Sequence, residues 1–178
     1  VVAGKDRLLM PGLYNVHTHA AMTILRGYGE GASGEGLPLD RWLRERIFPI
    51  EAKMTGDDVY WGTMLGIAEM LSTGTVSFSD MYFFSDRVAQ AAFTSGIKAN
   101  IGHSIRCTDD KKSLKELPSF FETKGLLEAL RELRTDRVRV DVAPHSEYTT
   151  TPKLLAELAE FSAVYGTRVQ THLSETQK

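Results

Sequence analysis

Five short apolar segments, separated by helix-like segments, constrain the fold of this 178-residue chain more than any other feature. The segments are rich in Val, Ile, Phe and Thr, as strands covered on both faces should be. Their alternation with amphipathic helices is typical of an α/β protein with a parallel sheet and crossover helices. We predict strands at Leu13–His19, Thr75–Tyr82, Lys98–Ile105, Val138–His145 and Arg168–Ser174. The spacing favours successive β-α units in one domain.

The helices between these strands have recognisable start signals. Thr55 followed by Asp58 resembles a capping box, and Thr151 before Pro152 predicts an N-cap with proline in the first turn. A further helix is predicted over Ser119–Leu133. Apolar residues at helical spacing predict the buried stripe of the helix after Thr55: Tyr60, Met64, Ile67 and Leu71.

Composition excludes several classes of function. Acidic and basic residues are mixed along the chain and give a formal charge of -2, so we expect no nucleic-acid partner. No apolar run approaches the roughly 20 residues needed to span a bilayer, and we expect no membrane partner. The single cysteine, Cys107, cannot form an intramolecular disulfide and fits a reducing, cytoplasmic location.

A glycine-rich stretch, Gly27–Gly36, follows the first predicted strand. Loops at the strand-exit side of α/β proteins build ligand sites, so one interpretation is a lid or substrate loop. The alternative is a disordered surface excursion.

His17 and His19 are separated by one residue on the first predicted strand. Side chains alternate along a strand, so both imidazoles point to the same face, about 6–7 Å apart, and can converge on one divalent ion. The alternative is a pair of core-facing histidines satisfied by hydrogen bonds.

His172 and Glu175, near the end of the fifth predicted strand, favour the metal interpretation. A third imidazole would make a nitrogen-rich site suited to Zn²⁺, although Fe²⁺ and Mn²⁺ suit similar ligands. Such an ion lowers the pKa of bound water to about 7, and Glu175 is the natural group to take that proton. Alternatively, Glu175 is an exposed acidic residue that begins the next helix.

Three further polar residues lie at predicted strand ends. His145, which follows Pro144, can contact a substrate or lie beside a metal, or it can bond to a loop carbonyl. His103 has the same two interpretations. For Asp80 we predict a structural role, bonded to backbone or to a neighbouring imidazole.

Several motifs, in order along the chain, resemble the amidohydrolase superfamily, especially its 5-methylthioadenosine/S-adenosylhomocysteine deaminases and related chlorohydrolases. The resemblance covers nearly all of the chain and rests on the following stretches: Pro11-Gly12-Leu13, His17-Thr18-His19, Trp42-Leu43, Pro49 to Glu51, Asp80-Met81-Tyr82, Pro144-His145-Ser146 and His172 to Thr176.

This resemblance implies a zinc-dependent TIM-type (β/α)₈ barrel that hydrolyses an amino or halogen substituent from a small heteroaromatic ring. It implies that His17, His19 and His172 bind the metal and that Glu175 is the general acid/base. His145 would contact the substrate and Trp42 would help shape the pocket. The chain is then a deaminase of a purine-like or other nitrogen heterocycle, with a chlorohydrolase, an amide hydrolase or a catalytically incompetent fragment as alternatives.

The chain differs from the adenosine-derivative deaminases at two places. Arg41 stands where a ribose-binding glutamate often precedes the tryptophan, and His103 stands where an arginine can contact the substrate. We therefore count His103 among the candidate substrate-binding residues, and the two differences weaken the expectation of an S-adenosylhomocysteine-type substrate.

The resemblance further implies that residues 1–178 make only the first five β/α units of the barrel, with residues 1–10 as a remnant of the family's flanking β-sandwich. Another histidine and a metal-binding aspartate would come from later strands. Because a partial barrel exposes strand edges and core, we expect the isolated chain to self-associate.

Overall fold

The computed structural model describes residues 3–29 and 36–175. Four parallel strands form a single sheet within these ranges, in the order β1 (Leu13–Thr18), β2 (Thr75–Tyr82), β3 (Lys98–Ile105) and β4 (Val138–Pro144). β2 and β3 have the predicted bounds, and β1 and β4 each end one residue earlier. The predicted alternation of parallel strands and helices is confirmed.

The helices lie between consecutive strands or follow the last one. They are α1 (Leu39–Trp42), α2 (Phe48–Glu51), α3 (Gly56–Ser72), α4 (Ser85–Ser95), α5 (Pro118–Leu133) and α6 (Pro152–Tyr165), with a π-helical turn at Leu43–Ile47 and 3₁₀ turns at Ala20–Leu25 and Leu114–Glu116. No helix in the described ranges is long and apolar enough to cross a membrane.

The predicted fifth strand, Arg168–Ser174, is present only as an extended segment. It makes two isolated parallel bridges, Val169 with Val142 and His172 with Ser146. Among the described residues nothing pairs with its other edge, and Ser174 then adopts a left-handed φ of 55°, so no continuous strand forms. The segment still carries His172 to the carboxyl end of the sheet.

The capping box that begins α3 is confirmed. The Thr55 hydroxyl accepts from Asp58 N, and Thr55 N donates to the Asp58 carboxylate at 2.8 Å. The predicted buried stripe is wrong at Leu71, which is 45% exposed, because the buried face of α3 runs through Gly62 and Gly66.

These two glycines let the 3₁₀ turn after β1 approach α3 closely. An added Cβ at Gly62 would lie 2.4 Å from the carbonyl oxygen of Ala21, and one at Gly66 would lie 3.1 Å from that of Ala20. The Thr23 hydroxyl donates to the Gly62 carbonyl at 2.6 Å. The backbone that leaves His19 is therefore fixed against α3.

α6 has the predicted cap: the Thr151 hydroxyl accepts from Leu154 N, and Pro152 occupies the first turn. α5 begins at Pro118, one residue before the predicted start. Most of the glycine-rich stretch, residues 30–35, lies outside the described residues, and so do the first two residues of the predicted sandwich remnant, which stays a prediction.

Candidate metal centre

The two histidines of the first strand lie side by side. Their ring centroids are 5.4 Å apart, with His17 in β1 and His19 directly after it. His19 Nδ1–H donates to the carbonyl oxygen of Met81, in β2, at 2.6 Å. A neutral imidazole held in this way presents its Nε2 lone pair, so the contact with β2 leaves Nε2 of His19 available to bind an ion.

His172 completes a cluster of three imidazoles. Its ring centroid lies 4.9 Å from that of His17 and 5.1 Å from that of His19. One ring nitrogen from each histidine lies within 4.8 Å of those of the other two. His172 N donates to the His145 carbonyl at 2.9 Å, which holds this part of the backbone beside the end of β4.

The donor set fits a divalent transition metal. In a tetrahedral zinc site, nitrogen ligands about 2.0–2.1 Å from the ion are roughly 3.3 Å from one another, which small side-chain rotations can reach from the observed spacing. Burial, and then the neighbouring His19, lower the pKa of His172. The neutral form, which is the one that binds metals, is thereby favoured.

Asp80, in β2, fixes the backbone that carries the histidine pair. It is fully buried, and its Oδ1 accepts from Ala20 N at 2.7 Å and from the Thr18 hydroxyl at 2.8 Å. Burial raises the pKa of Asp80, although these two hydrogen bonds oppose the shift. Of the two structural roles predicted for Asp80, the hydrogen bond to backbone is confirmed.

Glu175 lies three residues after His172 and is half-buried. The Tyr148 hydroxyl donates to its Oε2 at 2.6 Å. Tyr148 belongs to the loop that follows β4 and His145, so this bond joins the carboxylate to the end of the sheet. Glu175 is therefore not a free surface residue.

His145 joins the cluster from the end of β4. Its ring packs edge-on against His172 at 4.9 Å between centroids, and its Nδ1 lies 3.2 Å from the Ser146 hydroxyl and 3.1 Å from that of Thr149. Burial, then the nearby Arg106 charge, lower the pKa of His145 to about 3. A neutral ring beside the triad can bond to a ligand without adding charge.

The other two sequence-predicted residues lie elsewhere. His103 is on the helix-facing side of β3, where its ring contacts the Ser85 hydroxyl at 3.2 Å and the Glu122 carboxylate at 2.8 Å. Trp42 donates its indole N–H to the carbonyl of Gly29 at 3.1 Å and so holds the loop after β1. No contact in the described residues joins either side chain to the three imidazoles.

Arg106, directly after β3, was missed by the sequence analysis. Its guanidinium lies 4.8 Å from the ring centroid of Phe48 and 4.9 Å from that of Phe83. Its Nε is buried without a hydrogen-bond partner, and burial lowers its pKa, an effect opposed first by Glu51. The available signal was its position: an arginine immediately after a buried strand.

The described fold is an α/β sheet of parallel strands, and three imidazoles that could hold a metal ion lie together at the carboxyl ends of those strands. The model of the Amidohydrolase family matches residues 8–178. The chain belongs to the amidohydrolase family, and its strands are part of that family's TIM barrel.

Curated relatives align along the whole chain. It is 42% identical over 178 residues to a 5-methylthioadenosine/S-adenosylhomocysteine deaminase of Dictyoglomus thermophilum, covering 99% of this chain and 39% of the relative. It is 41% identical over 179 residues to a 5'-deoxyadenosine deaminase of Methanospirillum hungatei, covering 100% of this chain and 38% of the relative. The chain thus spans well under half the length of these relatives.

Solved structures show the same fold. An adenosine deaminase from Xanthomonas campestris with bound zinc superposes with a TM-score of 0.76 at 30% identity, covering 92% of this chain and 36% of that one. A guanine deaminase from C. acetobutylicum with bound guanine has a TM-score of 0.77 at 22% identity, covering 92% and 39%. The second likeness concerns the fold alone.

Proposed function

We propose that this chain is the metal-binding part of a hydrolase that deaminates a purine-like or other nitrogen heterocycle. The observation that carries the proposal is the convergence of three imidazole nitrogens within 4.8 Å, with Glu175 on the same segment as His172. The names of the deaminase relatives support a small-molecule, adenosine-type substrate.

His17, His19 and His172 would hold the metal, which we take to be Zn²⁺, with Fe²⁺ or Mn²⁺ as alternatives. When bound, the ion would act as a Lewis acid and make hydroxide available near neutral pH. The zinc in the structure of the 30%-identical adenosine deaminase supports this choice.

Glu175 would take a proton from the attacking water and pass it to the leaving amine. His145, held neutral by burial, would bond to the heterocycle beside the reacting carbon. Of the predicted substrate residues, His145 is the one whose contacts favour that role. Trp42 would act on the pocket through the loop after β1, and the contacts of His103 with α4 and α5 do not support substrate binding.

Arg106 would form another wall of the substrate site. Its guanidinium lies 4.8 Å from the ring centroid of Phe48 and 4.9 Å from that of Phe83, and its buried Nε has no hydrogen-bond partner among the described residues. A buried Nε–H without a partner favours a ligand that brings a hydrogen-bond acceptor. Ring nitrogens and sugar hydroxyls of a nucleoside-like substrate meet this requirement.

The test is ammonia release from a panel of adenine, guanine, cytosine and pterin derivatives, measured on the full-length protein. Glu175→Gln should abolish release while the metal stays bound, whereas Glu160→Gln, on the exposed side of α6, should leave it unchanged. Activity that survives Glu175→Gln would refute the role of Glu175. Chloride release from chlorinated rings, without ammonia release, would favour the chlorohydrolase.

A cytoplasmic location is part of this proposal, because a single, half-buried cysteine, Cys107, fits a reducing compartment.

A further inference from the structure

Two consecutive residues of the loop after β4 hold the two consecutive residues that end the described chain. The Tyr148 hydroxyl donates to Glu175 Oε2 at 2.6 Å, and the Glu147 carboxylate accepts from Ser174 N at 3.0 Å. One contact fixes a side chain and the other fixes the backbone beside it. We call Glu147 and Tyr148 together the clamp.

The loop that carries the clamp is itself anchored. The hydroxyls of Ser146 and Thr149 lie 2.7 Å apart, and Cys107 N donates to the Thr149 carbonyl at 2.9 Å. Thr150 is buried and forms a parallel bridge with Cys107. The phenol of Tyr148 is therefore a donor in a fixed position rather than a side chain on a free loop.

The clamp provides a hydrogen bond to one of the two carboxylate oxygens of Glu175. Within residues 3–29 and 36–175, its Oε2 accepts the Tyr148 bond, and no hydrogen bond to its Oε1 is present. A hydroxyl that donates to one oxygen restricts the carboxylate to few rotamers. The second oxygen is then available to receive a proton. Tyr148 stays a donor at neutral pH, since burial and Glu175 raise its pKa to about 12.

We propose that Tyr148 is a positioning residue for Glu175, and that it acts on the rate of proton transfer through this one hydrogen bond. The inference rests on the proposed function, because it assigns Tyr148 a part in the reaction that Glu175 would perform. Without the bond, Glu175 would spend more time in orientations that cannot accept the proton, and substrate binding would be nearly unchanged.

The test compares Tyr148→Phe with Tyr165→Phe in the full-length, metal-loaded protein. Tyr165 is a matched control because its hydroxyl also lies near a glutamate, 3.4 Å from Glu128 Oε1, on the helical surface. We expect Tyr148→Phe to lower kcat about tenfold, a part of the roughly 10²–10⁴-fold that general acid–base catalysis contributes. KM should stay within about twofold of the wild-type value, with the metal content unchanged. Tyr165→Phe should change none of these.

A second variant tests the clamp from its other side. Glu147→Ala removes the acceptor of Ser174 N, and we expect a smaller loss of kcat in the same direction. An unchanged kcat in Tyr148→Phe would overturn the inference. A raised KM at constant kcat would also overturn it, because that result indicates contact with the substrate. So would a loss of metal, because that result indicates a structural role. A wild-type protein without activity would remove the proposed function and this inference together, whereas an active wild type with an unaltered Tyr148→Phe variant would remove the inference alone.

Discussion

Asp80 is the residue on which the position of the β1 histidine pair depends most directly. Its buried carboxylate bonds to the residue between the two histidines, Thr18, and to the residue after them, Ala20. The pairing of Thr18 with Asp80 in the β1–β2 register places this carboxylate there. A single side chain thus links strand pairing to the geometry of the candidate metal centre.

Replacing Asp80 by Ala should destabilise the fold. The change leaves the buried N–H of Ala20 unpaired, and we expect a loss of about 1–3 kcal/mol in the free energy of unfolding, measured by urea denaturation. Metal affinity should also fall. Asp136→Ala, at an exposed position before β4, is the control and should change stability by less than about 0.5 kcal/mol. Equal stabilities of the two variants would contradict the role of Asp80.

Strand periodicity explains which candidate residues lie on the same face of a strand. His17 and His19 share a face because they are two residues apart, and the structure brings them together as expected. The same rule places His103 with Ile101 and Ile105, both buried, on the helix-facing side of β3. A position near a strand end does not by itself distinguish the two faces of the strand, whereas the alternation of side chains does.

At the scale of elements, the contact between α3 and the 3₁₀ turn after β1 holds the backbone next to the candidate metal centre against the helical layer. Gly62 and Gly66 make this contact possible. Which face of α3 is buried depends on the rotation of the helix about its axis, and the spacing of apolar residues alone does not specify that rotation. The sequence therefore predicted the helix and its capping box, but it placed Leu71 on the wrong side.

Gly62→Ala should destabilise this contact. The new methyl group would lie 2.4 Å from the carbonyl oxygen of Ala21, so the backbone after His19 has to move, at a cost of about 1–3 kcal/mol. Gly125→Ala is the matched control in α5, where an added Cβ meets nothing within 4 Å. That change should stabilise the protein by about 0.5–1 kcal/mol. Chemical denaturation of both variants checks the prediction, and a stabilising Gly62→Ala would contradict it.

The fifth predicted strand shows a different limit on what can be predicted from local sequence. Its β-branched residues indicate extended backbone, and the segment is extended, but a continuous strand requires pairing that local sequence does not encode. The convergence of His172 with the β1 histidines is likewise a property of the sheet, which brings residues more than 150 positions apart in the sequence into contact.

At the scale of the whole molecule, buried histidines make stability depend on pH. Burial lowers the pKa of His103 to about 4 from an ordinary value of 6.5, with Asp86 opposing. The unfolded chain therefore binds a proton that the folded chain does not, and stability falls as the pH drops from about 6.5 towards 4. The loss should reach about 3 kcal/mol. His103→Gln should flatten this part of the stability profile, and an unchanged profile would contradict the assignment.

The free edge of β1 bears on the assembly of the isolated chain. Tyr14 is 66% exposed and Val16 is 80% exposed, and no strand in the described ranges pairs with that edge. Exposed apolar strand edges favour association between copies, so we expect the isolated 178-residue chain to self-associate and Val16→Lys to reduce the effect. A monodisperse wild-type monomer in light scattering would contradict this expectation.

The metal centre is tested most directly by zinc content after loading and gel filtration, measured in the full-length wild type, His17→Ala and His103→Gln. The two substitutions each remove one imidazole, but only His17 belongs to the three-histidine cluster. We predict about one equivalent of zinc in the wild type and in His103→Gln, and a loss of bound zinc in His17→Ala. A wild type without zinc, or a His17→Ala variant that retains a full equivalent, would contradict the account.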